Sequence, residues 1–495
     1  MITLVTSGGM KKAEAAAVAS GTSYLDLMEN AGTAAAKYIL KTVSPKCKTA
    51  VILCGCGNNG GDGFVISREL SAAGLKTFAV ALGTPATETA ATVMKRLGAA
   101  TLLSPKEGIS ALASADLIVD ALFGTGLSRE IEGAAAELIK AANETAATRI
   151  AIDLPSGAEC DTGRLLGICF KADLTLTFEG MKPCHILPPA NALCGRVEVL
   201  PIGIGEKIMQ GQKIGSVIPP FRPAKRDKNS HKGTFGTLLN IAGKYGMPGA
   251  AVMSSLAALR SGAGILKLAV IPENYEVMAT ALPEAVLVPC PSREGGFERD
   301  AFDTLLPHIE GADALLVGPG IGVTKATGYL TRECCLKSKK PVIVDADGIN
   351  SIAGDIEFIK QMKAPLVLTP HPGEMSRLTG LTVGEVEADR IGVAKRFAEE
   401  WGVWLVLKGA NTVVASPDGE IFINVVGNPG LATGGSGDVL SGIMAAFLAA
   451  GMPVGEAVCG AVRIHGDAAD RAAKRLGETS LLPRDVIKQL PYLLK

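Results

Sequence analysis

Aromatic side chains are scarce in this chain: they make up 4% of its 495 residues, with only two tryptophans. Its cores must be built from small aliphatic groups rather than stacked rings. Net charge is absent as well, since Lys plus Arg and Asp plus Glu each total 49. That removes the electrostatic ground for a nucleic-acid partner or an anionic membrane surface. No uncharged apolar run is long enough for a bilayer; GAAVMSSLAALRSGAGILKLAVIP is interrupted by Arg260 and Lys267. The opening residues lack a basic-then-apolar targeting pattern. The 11 cysteines are odd in number and scattered, with no C-x-x-C pair and no histidine at zinc spacing. Neither a disulfide scaffold nor a zinc module fits, and a reduced, cytoplasmic setting without membrane contact is expected.

What the chain does have is glycine, 59 residues of it, and an apolar fraction of 47%. Short Val/Ile/Leu runs end in Gly, Asp or Pro and are separated by Ala-rich segments of helix length. Near-continuous apolarity marks strands buried on both faces of a parallel sheet. TAVILC, KTFAVAL, ADLIVDALFG, RIAIDLPSG and ADLTLTF form a first set. GTLLNIAG, GILKLAVIP, ADALLVGPG, PVIVDADG, APLVLTP and VWLVLKG form a second, followed by the hairpin TVVASPDGEIFIN with a Pro-Asp-Gly turn. Between the sets lies SVIPPFRPAKRDKNSHKG, rich in proline and charge. The reading is two α/β domains, 1–215 and 225–495, without internal repeats.

In the first domain Gly55, Gly57 and Gly60 satisfy G-x-G-x-x-G after a strand, which suggests a dinucleotide site for hydride transfer. Two features oppose that. The second strand ends in Leu82-Gly83, where a ribose-binding acid belongs, and Asp62 stands where a pyrophosphate would lie. The strand ends say more. Asn58 and Asn59, Asp120, and Asp153 with Ser156 all follow strands, so a parallel sheet gathers them along one edge. Amide, carboxylate and hydroxyl oxygens suit a group I or II cation rather than zinc or copper. Taken singly, Asp120 and Asp153 would be read as helix caps.

GNNGGDG, LMENAG, VDALFGTGL and IDLPSG together resemble the NAD(P)H-hydrate epimerase family, and the similarity spans nearly the whole first domain. The resemblance implies a Rossmann-like three-layer sandwich. It implies contact of the hydrated nucleotide with Asn58, Asn59, Gly60, Gly61 and Asp62, with Gly124, Thr125, Gly126, Leu127, Ser128, Arg129 and Glu130, and with Asp153. It also implies K⁺ on Asn59, Asp120 and Ser156. Asp153 is the candidate for moving protons, since an acid at a strand end can be partly desolvated.

In the second domain NPGLATGGSGDVLSG places Asp438 among glycines at a helix start. Phosphoryl transfer to an alcohol needs a carboxylate for the hydroxyl and amides or cations for the phosphate. The amides of Gly434, Gly435 and Gly437 can serve the phosphate while Asp438 serves the acceptor. Strand ends again add candidates: Lys408 and Gly409, His371 and Glu374, and Asp345 and Asp347. G-x-G-D before an apolar helix resembles ribokinase-like enzymes. SHKGTFG, SGAG, GPGIG, HPGE, KGANT and NPGLATGGSGD together resemble the NAD(P)H-hydrate dehydratase family across almost all of 225–495. That resemblance implies hydrated nucleotide near Ala263, Gly322, His371 and Asp438. It implies ADP along Lys408, Gly409, Ala410, Asn411 and Thr412 and at Gly434, Gly435 and Gly437, with Mg²⁺ near Glu374.

The joint expectation is repair of hydrated NADH and NADPH by epimerisation and ADP-dependent dehydration, in a homo-oligomer. Two other classes explain one half each: a small-molecule kinase the second, a nucleotide-binding sensor the first.

Overall fold

The computed structural model describes residues 2–44 and 47–495. The chain divides into two compact units, Met1–Ser216 and Val217–Lys495.

In the first unit seven strands form a parallel sheet. In spatial order they are Thr101–Leu103, Lys76–Ala81, Thr49–Cys54, Leu117–Ala121, Thr148–Ile152, Leu174–Phe178 and Arg196–Leu200. Alternate residues feed two separate cores. Ala50, Ile52 and Cys54 join one with the helix Tyr24–Thr42, while Val51 and Leu53 join the other with Leu138 and Ile139. That is a three-layer sandwich, and burial on both faces explains the continuous apolarity of the central strands. The edge strands Thr101–Leu103 and Arg196–Leu200 are half-exposed, so their sequences carry no such run. Strand order reverses between Thr49–Cys54 and Leu117–Ala121. Loops leaving those two strands diverge there and open a crevice.

In the second unit the spatial order is Val286–Pro289, Ile265–Val270, Thr237–Ile241, Ala314–Val317, Val342–Val344, Leu366–Leu368 and Trp404–Leu407, all parallel. The antiparallel strands Val413–Ala415 and Ile421–Ile423 complete it and form the expected hairpin. The helix Ser436–Ala449 is apolar all round and buried from Val439 onward, as a helix packed on every side should be. Its Ile443, Met444 and Phe447 share a core with Leu316, Ile343, Val367 and Val406. At about 1.5–3 kcal/mol for each large apolar side chain removed from water, this packing anchors the helix firmly. Gly442 permits its close approach to the helix Pro248–Arg260, because a Cβ there would lie 2.1 Å from the carbonyl oxygen of Ser254. Among the described residues no helix is long and apolar enough to cross a membrane.

Candidate functional sites

The crevice of the first unit is a cavity of about 980 Å³. Asn58, Asn59 and Asp62 line it from the helix Asn58–Ala72, as do the whole loop from Gly124 to Glu130 and Asp153. Gly60 and Gly61 do not line it. Both are buried in the helix, where a Cβ on Gly60 would lie 1.8 Å from the Gly55 carbonyl oxygen and one on Gly61 would meet Met28. The glycine pattern thus serves close backbone packing around a helix start.

Asp153 sits just past its strand with φ at 66°, a left-handed conformation unusual for a side-chain-bearing residue. Its surroundings hold it there. Lys182 places its ammonium 2.7 Å from Oδ1, Thr177 donates to the same oxygen at 3.1 Å, and His185 Nε2 donates to the Asp153 carbonyl at 2.8 Å. The Nδ1 of His185 accepts from the Lys182 amide, which fixes the proton on Nε2. Burial is the largest single influence and pushes the Asp153 carboxyl up, but the charge and hydrogen bond of Lys182, with His185 and the Thr177 hydroxyl, together outweigh it, and the net shift is downward. Lys182 is itself fully buried and also donates to Thr177 and to the Phe178 carbonyl. Burial also drives the His185 pKa down to about 4, so this ring is neutral. Nothing in the sequence singled out Lys182 or His185. They lie in the irregular stretch after Leu174–Phe178 and reach Asp153 only through the fold.

Asp120 and Ser156 form a second cluster beneath the crevice. Asp120 accepts from the Ser156 amide at 2.8 Å, from its hydroxyl at 2.7 Å and from the Leu122 amide at 3.1 Å. It caps no helix. Its carboxyl is wholly buried, with no cation beside it among the described residues, and burial raises its pKa to about 6. Both polar atoms of the Asn59 amide are buried without a hydrogen-bond partner among the described residues.

In the second unit the carboxyl ends of four adjacent strands bring the candidates into a row. Lys408, after Trp404–Leu407, places Nζ 2.8 Å from Asp345 Oδ1 and 3.7 Å from Glu374 Oε2. Thr369 donates to the same Asp345 oxygen at 2.7 Å. His371 caps the helix Pro372–Thr379: its Nδ1 accepts from the amides of Gly373 and Glu374, leaving the proton on Nε2. Gly322 donates its amide to Asp347 at 2.8 Å, and a Cβ there would touch the Lys244 chain. Asp438 lies in the first turn of Ser436–Ala449, whose N-cap Gly435 has φ at 99°. Its neighbour Gly437 faces Lys408, with an ideal Cβ 3.5 Å from Nζ. The Asp438 carboxyl has no arginine partner among the described residues, and its pKa rises to about 7. Burial is the main cause and the Asp345 and Asp347 charges add to it, against the pull of Lys408.

The loop from Lys408 to Thr412 is bent by Gly409 at φ 154° and Asn411 at φ 59°. Beneath it runs the buried Arg390, which donates to the carbonyls of Leu407 and Lys408. Ala410 and the half-buried Thr412 complete the loop, and Gly434 is exposed before the helix. Ala263 departs from expectation. It precedes the strand Ile265–Val270 and so lies at the amino edge of the sheet, away from Gly322, His371 and Asp438 at the carboxyl edge. The SGAG motif serves the entry to that strand: a Cβ on Gly264 would lie 1.9 Å from the Lys232 carbonyl oxygen.

Residues 238–492 match the family described as NAD(P)H-hydrate dehydratase, and residues 24–184 match YjeF-related protein N-terminus. The bifunctional NAD(P)H-hydrate repair enzyme of Moorella thermoacetica is 37% identical over 95% of this chain and 92% of its own length. The chain belongs to the family of bifunctional NAD(P)H-hydrate repair enzymes. The Escherichia coli member is 35% identical over 97% of this chain and 91% of its own. The Coxiella burnetii member is 34% identical over the full length of both. Among solved structures, the ADP/ATP-dependent NAD(P)H-hydrate dehydratase from Bacillus subtilis, co-crystallised with ATP/Mg²⁺, is 33% identical. The match covers 54% of this chain and 92% of that one, with a TM-score of 0.48. Within this family member, then, each unit carries its own cluster of chemistry at the carboxyl edge of its own sheet.

Proposed function

We propose that this chain restores hydrated NADH and NADPH: the first unit interconverts the two hydroxyl epimers, and the second dehydrates one of them at the expense of ADP. The observation that carries the reading is Asp438, a carboxyl poised near pH 7 in the first turn of a glycine-led helix beside the half-buried ammonium of Lys408. A base, a cation and open amides at one helix start suit phosphoryl transfer to an alcohol.

Hydroxide is a poor leaving group. Asp438 takes the proton of the ring hydroxyl as its oxygen bonds to the terminal phosphorus of ADP, and AMP leaves. The ring nitrogen's lone pair then expels phosphate, the adjacent carbon loses a proton, and the ring double bond returns. The Lys408–Thr412 loop and the amides around Gly435 and Gly437 hold the nucleotide, and His371 and Gly322 border the hydrated ring. Mg²⁺ would neutralise phosphate charge. Among the described residues no three acidic, cysteine or histidine side chains converge on one point, so Glu374 would hold it through water.

In the first unit the unpartnered Asn59 oxygen and the uncompensated Asp120 carboxyl suit a hard cation of low charge. K⁺ held by Asn59, Asp120 and Ser156 would supply the missing counter-charge and tie together the loops that line the cavity.

The test is incubation of an epimer mixture of hydrated NADH with ADP while following the reduced-nicotinamide absorbance. Full recovery requires both activities, half recovery the second unit alone, and no recovery overturns the proposal.

A further inference from the structure

The cavity of the first unit holds a second carboxyl whose position is as particular as that of Asp153. Asp62 comes from the first turns of the helix Asn58–Ala72 and lines the cavity, yet among the described residues it has no hydrogen-bond or ion-pair partner. Asp153 lines the same space with Oδ1 tied to Lys182 and Thr177. Its Oδ2 is turned toward the loop, 3.5 Å from where a Cβ on Gly124 would lie. Resting on the epimerase reading, we infer that Asp62 is the acid partner of Asp153, and that epimerisation proceeds by departure of the ring hydroxyl and return of water between these two carboxyl groups.

The asymmetry between them is electrostatic. Two carboxylates in one poorly solvated space do not both ionise cheaply, and the proton stays on the one without a cation. The buried ammonium belongs to Asp153. Facing Asp62 are Asp153 and Glu14, both acidic, and Lys11 draws on Glu14; the charges of Arg129, Glu130 and Glu132 lie on the cavity lining. Burial and those two acids raise Asp62 well above the usual carboxylate range, in accord with the placement.

The step balances. The lone pair of the ring nitrogen forms a double bond to the neighbouring carbon as the C–O bond breaks, and Asp62 gives its proton to the leaving hydroxyl, which departs as water. A second water bonds to the opposite face of the planar cation while Asp153 takes its proton. The reverse epimer is handled with the roles exchanged, and proton exchange with solvent resets the pair.

The full chain carries the experiment. Conversion of a single epimer of hydrated NADH, without ADP, is followed by chromatography for wild type, Asp62→Asn and Asp62→Glu. Circular dichroism and a thermal melt report that the first unit of each variant is folded, and dehydration of the S epimer with ADP reports that the second is. The expected result is a loss of about 100-fold or more in kcat for Asp62→Asn with KM within a few-fold, and partial rescue by Asp62→Glu. In water enriched in ¹⁸O, each wild-type turnover should introduce one labelled oxygen. Retention of the original oxygen, or an Asp62→Asn variant with near wild-type kcat, overturns the inference. A wild-type chain that dehydrates but never changes one epimer into the other instead overturns the epimerase reading itself.

Discussion

The ammonium of Lys408 lies 2.8 Å from Oδ1 of Asp345, the lysine half-buried and the acid fully buried, at the carboxyl edge of one sheet with the strand Leu366–Leu368 between theirs. Thr369 donates to the same oxygen and Glu374 approaches the same ammonium. Burial opposes the Lys408 charge, but Asp345 and Glu374 outweigh it, so the lysine is held charged. One cation therefore balances several acids at the carboxyl edge of this sheet. Removing one partner of a buried pair leaves the other uncompensated, at about 3–5 kcal/mol. Lys408→Met should lower unfolding stability by about 3 kcal/mol in denaturant titrations and abolish dehydration.

Asp438 sets a pH dependence. Below a pKa of about 7 the carboxyl is protonated and cannot accept the hydroxyl proton. Dehydratase kcat/KM should rise with pH through about 7, and Asp438→Asn should abolish it while sparing epimerisation. Stability moves the other way. The folded pKa lies above the unfolded one, so the folded state binds more protons between them and wild type loses stability as pH rises from about 4 to about 7. Thermal melts should find Asp438→Asn more stable than wild type at pH 8, with the gap closing toward pH 4.

In the other unit Lys182 keeps Asp153 ionised. Lys182→Met should shift the acid limb of the epimerase profile to higher pH and cost about 100-fold in rate at neutral pH, with dehydration unchanged. A pH–rate series on one epimer reads both effects.

Gly409 cannot accept a side chain. A Cβ would lie 2.6 Å from Arg390 Nη1, and φ at 154° is poor for any L residue. Gly409→Ala should push the loop off the guanidinium and raise KM for ADP at least several-fold, with a smaller change in kcat. Initial rates against ADP concentration separate the two.

Potassium should protect the first unit. Dialysis into a tetramethylammonium buffer should lower the temperature at which epimerase activity is lost, and K⁺ should restore it. In Asn59→Leu, which removes the amide oxygen, the response to K⁺ should vanish. Inactivation half-lives with and without the ion supply the measurement.

Much of this protein is legible in one dimension. The run TAVILC becomes Thr49–Cys54 and VWLVLKG becomes Trp404–Leu407, because a strand buried on both faces has to be apolar throughout. Asp153, Asp438 and Lys408 stand out because charges at the ends of such runs fall at a sheet's open edge. The short edge strands Thr101–Leu103 and Arg196–Leu200 leave no such trace, since half-exposed backbone makes no demand for apolar side chains. Ala263 was misplaced for a related reason: the glycines around it answer to backbone packing at a strand's entry.

The sequence alone determined that there are two α/β units and which acids end their strands, since burial and chain reversal leave local marks in residue type. Tertiary structure decided what those acids are. Asp153 is ionised because a lysine 29 positions on folds back onto it, and Asp62 and Asp438 hold protons more tightly because the chain walls them off near other carboxylates. Charge state depends on distance and dielectric, and neither is written along the chain.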